Sequence, residues 1–66
     1  MHLFVRGQIE TVSDTSITVK PKDGTAAQTC TVKDDDDVDR VKAGDQVEMT
    51  CSQVAGAWVL TKVRKK

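Results

Sequence analysis

Aromatic side chains are nearly absent from this chain: it has one phenylalanine, Phe4, one tryptophan, Trp58, and no tyrosine. Proteins that hold single-stranded nucleic acid without sequence preference stack bases on several such rings, so that mechanism has little material here. Net charge is missing as well. Ten basic residues balance ten acidic ones, which argues against a general polyanion-binding surface and against a purely acidic solvating segment. The single histidine, His2, and the lack of any Cys-x-x-Cys spacing leave no zinc constellation. No apolar run approaches the ~20 residues of a bilayer span, and the N-terminus lacks the basic-then-apolar layout of a secretory signal. Membrane insertion is therefore not expected. Catalysis is not expected either, because no nucleophile is paired with a base, no glycine-rich loop cradles phosphate and no separated pair of acids lies in an apolar setting. No cofactor is implied.

What remains is a short chain with a clear two-residue rhythm. Its 66 residues have room for one core, so residues 1–66 are read as a single domain. A domain this small buries only roughly 60% of the surface its unfolded chain exposes, and it gains from a staple. Leu3, Val5, Gly7, Ile9 and Thr11 alternate with Phe4, Arg6, Gln8 and Glu10, the pattern of a half-buried strand. Val12 falls out of phase, and Gly7 suits a bend or bulge. The cluster Ser13 to Ser16 turns the chain into a second strand, with Ile17 and Val19 on one face and Thr18 and Lys20 on the other. Pro21 halts that strand, and Lys22 to Gln28 reads as a loop. Thr29 to Lys33 resumes the alternation with Cys30 and Val32 on the apolar face.

Between Asp34 and Gly44 the rhythm changes. Val38 and Val41 are three apart, acids lead and Lys42 trails, the charge order of a short helix, which Gly44 is expected to end. Val47, Met49 and Cys51 then form the inner face of a fourth strand. Ala55-Gly56 is a turn, and Ala57 to Val63 is a fifth strand with two possible phases: Val59 and Val63 inside, which is preferred, or Trp58 and Leu60 inside. Five strands with one short helical turn between the third and fourth is the element order of a small all-β, OB-like barrel. A small SH3-like barrel is the main competitor.

Several residues invite a chemical reading. Cys30 and Cys51 both fall on inner faces, where they are either buried thiols or a disulfide. A bridge would point to the cell envelope or a secreted protein, and free thiols to the cytoplasm. Together with Met49 they could offer soft ligands to copper(I), although both cysteines and the methionine also fit plain core positions. The run Asp34, Asp35, Asp36 and Asp37 resembles a calcium loop only in charge, because the EF-hand glycine and glutamate are absent at their positions; a solvated helix cap accounts for it. Lys20, Lys33, Trp58, Lys62 and Arg64 are the residues that a weak single-stranded nucleic-acid site would use.

The segments Val5 to Val12, Ser16 to Val19, Val41 to Met49 and Trp58 to Val63, with a glycine in the first strand and Gly44-Asp45 before the fourth, resemble a widespread bacterial family of small β-barrel domains of unknown function. The same outline is similar to periplasmic copper-binding accessory proteins of metal-efflux systems. That family holds copper(I) with a histidine, a tryptophan and two methionines around its third strand, and Thr25 to Val32 contains none of these. The resemblance implies a fold without a metal site. Taken together, these readings make the chain a non-catalytic binding or accessory module for a protein or oligonucleotide partner that the sequence does not identify, with nucleic-acid and copper(I) binding as alternatives.

Overall fold

A computed structural model describes residues 1–66. Five strands, β1 (His2–Val12), β2 (Ser16–Pro21), β3 (Gln28–Thr31), β4 (Gln46–Val54) and β5 (Ala57–Lys65), are joined by tight turns and one 3-10 turn, Asp35–Val38. Their pairings close on themselves in the order β1-β2-β3-β5-β4, with β1 returning to β4. Four of these pairings are antiparallel and extended, whereas β3 meets β5 in parallel through one registered pair, Thr31 with Val59.

The expectation of an OB-like barrel is corrected on this point. The strands build a mixed sheet whose β3–β5 side is a narrow seam, not the continuous ladder of a fully closed barrel. β3 spans only four residues and meets β5 at its last one, Thr31, so the seam has little length over which to form a ladder.

Alternation puts one face of every strand inside. Val5, Ile9, Ile17, Val19, Cys30, Val32, Val47, Met49 and Cys51 are all buried, joined by Val38 and Leu60. No buried side-chain nitrogen or oxygen lacks a hydrogen-bond partner.

Two bulges explain where simple alternation fails. In β1 the register against β2 shifts between Ile9 and Thr11, so Glu10 is the extra residue and Val12 comes back opposite Ile17 on the inner face. In β5 the register against β4 shifts as well: Leu60 lies opposite Cys51 but Lys62 lies opposite Thr50, leaving Thr61 as the extra residue. Its hydroxyl donates to the Thr50 carbonyl oxygen at 2.9 Å. The preferred phase, with Val59 and Val63 inside, is therefore only half right. Leu60 is inside before the bulge, opposite Cys51, and Val63 is inside after it, opposite Met49.

The expected helix is also shorter than its charge pattern suggested. It stops at Val38, and Gly44 ends no helix: with a φ of 98° it forms the turn into β4. There the Gly44 N–H donates to the Ile9 carbonyl oxygen at 2.8 Å, and the Ile9 N–H donates to the Asp45 carbonyl oxygen at 2.9 Å. At the other end of β4, Ala55 and Gly56 both have positive φ and form the two-residue turn of a tight hairpin.

Candidate functional site

Residues directly opposite in an antiparallel pair share a face, so the registers of β1, β4 and β5 define rows across their outer surface. One row is Phe4, Thr50 and Lys62, and the next is Arg6, Glu48 and Arg64. Odd positions of β1 fill the core, which sends Phe4 and Arg6 outward; the phase of β5 after its bulge does the same for Lys62 and Arg64. Phe4 is 57% exposed. Its ring centroid lies 5.7 Å from the Arg6 guanidinium carbon.

Charge on this face is unevenly paired. Glu48 accepts from Arg6 Nε at 3.2 Å and from Arg64 Nη2 at 3.5 Å, so two guanidiniums share one carboxylate. Lys62, one position along, has no ion-pair partner. Phe4, Glu48, Thr50, Lys62 and Arg64 line a shallow depression of about 150 Å³. The face therefore carries a net positive charge beside an exposed aromatic ring, which suits an anionic group with an apolar neighbour.

Of the five residues put forward for nucleic acid, the structure gathers only Lys62 and Arg64. Lys20 is on the outer side of β2, opposite Gln8 of β1, and Lys33 follows the end of β3. Trp58 is half-buried against the core, so it does not stand out as a stacking platform. Phe4 is exposed with Arg6 beside it, and neither is among those five residues. The available signal was their shared outward phase with Lys62 and Arg64, which became visible only once β1 and β5 were known to flank the same strand.

Cys30 and Cys51 are bridged, with Cα atoms 6.6 Å apart, and tie β3 to β4 across the core. The copper(I) alternative loses its two thiolates in this form, and Met49 is fully buried. A bridged pair belongs to an oxidising compartment, which meets the condition for a cell-envelope or secreted location. No helix is long and apolar enough to cross a membrane.

The aspartate run acts as a cap. Asp34 Oδ1 accepts from the Asp36 N–H at 3.0 Å at the start of the 3-10 turn. Repulsion from Asp34 first, then Asp39 and Asp35, raises the Asp36 carboxyl above its ordinary range. Asp23 moves the other way, lowered by the backbone N–H and then the hydroxyl of Thr25, which both donate to its Oδ1. Asp34, Asp35 and Asp36 place carboxylate oxygens within 4.8 Å of one another, all on exposed side chains, an arrangement common without any ion.

The chain matches no family model, no curated protein and no solved structure, so its likeness to the small bacterial barrel family and to the copper-binding accessory proteins is not supported.

Proposed function

We propose that this chain is a non-catalytic binding module that takes an anionic partner on the outer face of β1, β4 and β5. The observation that carries this reading is the sharing of Glu48 by Arg6 and Arg64, next to unpaired Lys62 and exposed Phe4. One carboxylate offsets one of the two guanidiniums and leaves the other, with Lys62, to face solvent. Anions of the partner complete the pairing, and Phe4 supplies apolar contact area that excludes water from it.

Titration with poly-glutamate at low salt, followed by amide shifts, tests this. Shifts are expected at Phe4, Arg6, Thr50, Lys62 and Arg64, and affinity is expected to fall steeply as salt is added, because the contacts are solvent-exposed charges. The double variant Lys62→Glu/Arg64→Glu is expected to abolish them without unfolding the chain. Shifts confined to other surfaces, or none, would refute the reading.

A further inference from the structure

The pairing of β1 is incomplete on one side, and the hydrogen-bond pattern shows which atoms are left over. The Gln53 N–H donates to the Met1 carbonyl oxygen and the Ile9 N–H to the Asp45 carbonyl oxygen, so odd residues of β1 exchange their main-chain bonds with β4. Because bonded pairs alternate along an antiparallel ladder, the N–H and C=O groups of the even residues point to the opposite side. There β2 pairs with β1 only as far as Gly7 opposite Pro21, and the ladder ends where the Lys22 N–H donates to the Arg6 carbonyl oxygen at 3.0 Å. The N–H and C=O of His2 and Phe4 therefore face a side of β1 with no strand beside it.

That side opens into the largest groove of the molecule, about 450 Å³, with Leu3 to Arg6 along one wall and Pro21, Lys22, Asp23, Thr25 and Gln28 along the other; the Asp23 carboxylate is already held by the N–H and hydroxyl of Thr25. Bare edges are normally blunted by lysine, proline or a bulge. His2 to Val5 carries none of these. We propose that an extended acidic segment of a partner protein adds to this edge as a further strand. This inference rests on the binding-module reading and extends its face, through Phe4 and Arg6, to the free edge of β1.

The chemistry of that partner follows from the strand period. A strand laid against β1 sends alternate side chains to the outer face beside Phe4 and Arg6, where acids meet Arg6 and the nearby Lys22. The other side chains turn toward Leu3 and Val5, where apolar residues fit. A second copy of the chain is a poorer occupant, because the loop carrying Pro21 to Gln28 walls the groove on its far side and stands in the way of another folded sheet.

The test uses a blocked hexapeptide alternating glutamate and valine, and the same peptide N-methylated at every second amide so that its donors toward β1 are lost. The expected result is that the first peptide shifts and protects the amides of His2, Phe4 and Arg6, perturbs Lys22 to Gln28, and binds roughly tenfold more tightly than the methylated one, as the loss of two main-chain hydrogen bonds requires. The Phe4 N–H has no internal partner, so Phe4→Pro should keep the fold, while the proline ring stands where that N–H pointed, blocks a strand from the edge and brings the first peptide down to the affinity of the methylated one. If both peptides bind the wild-type chain equally and shift only Lys62 and Arg64, the edge is not used, while the anion-binding face stands. If neither peptide shifts any residue, both readings fail together. Concentration-dependent shifts of His2 and Phe4 without peptide would show that the edge serves self-association, and would overturn the inference.

Discussion

Gly7 lies on the inner face of β1 between Val5 and Ile9, where the strand passes closest to β2. A Cβ at this position would run into the Lys20 carbonyl oxygen and crowd Pro21, which are backbone atoms that cannot swing aside. The sequence placed a bend here; the reason is the absence of room rather than a special backbone angle. Gly7→Ala is expected to destabilise the fold by roughly 1–3 kcal/mol, toward the upper end because the obstruction is main chain. Urea unfolding followed by circular dichroism measures this directly, and an unchanged midpoint would contradict it. By comparison, Phe4 and Arg6, which share the outward phase, are expected to affect stability little.

At the scale of the element, the two bulges decide which residues the core receives. Val12 looked out of phase and β5 had two defensible phases because one inserted residue, Glu10 in β1 and Thr61 in β5, inverts every side chain beyond it. Alternation was enough to read nine of the buried residues, since β2, β3 and β4 run without an inserted residue on their core faces. A bulge leaves no comparable trace. It is set by the partner strand, and nothing local in Trp58 to Val63 announces that Thr61 will bond to Thr50. The same limit hid the proposed face, because its rows join β1 to β5 through β4. The structure predicts a sharp contrast between neighbours: Leu60→Ala should cost about 2–5 kcal/mol as a buried truncation, and Val59→Ala clearly less, since Val59 is only half-buried. Matched denaturation midpoints for the two variants would mean that the bulge is misplaced.

At the scale of the whole molecule, strength is distributed unevenly around the ring of strands. β1, β2, β4 and β5 are held by long antiparallel ladders, but β3 touches β5 at one registered pair. The Cys30–Cys51 bridge spans that weak side, joining β3 to β4 past β5. The sequence put both sulfurs on inner faces without deciding whether they were joined, because the contact depends on a closure that no local pattern records. With the cysteines 21 positions apart, the chain-entropy account gives the bridge roughly 3 kcal/mol. Cys30→Ala/Cys51→Ala is expected to lose about that much in urea unfolding. Hydrogen exchange should locate the damage, with Thr31 and Val59 losing protection before the β1–β4 ladder does. A uniform loss of protection would argue against the seam as the weak point.

The covalent tie has a further effect on the life of the molecule outside a reducing cell. Between Cys30 and Cys51 the chain carries its longest stretch outside the strands, from Val32 to Asp45, mostly exposed, the kind of segment that proteases nick first. A single cut there leaves two pieces still joined through sulfur, with β3 held in place on one piece and β4 and β5 on the other. In an environment rich in proteases, the domain can lose its backbone continuity and remain one covalent molecule.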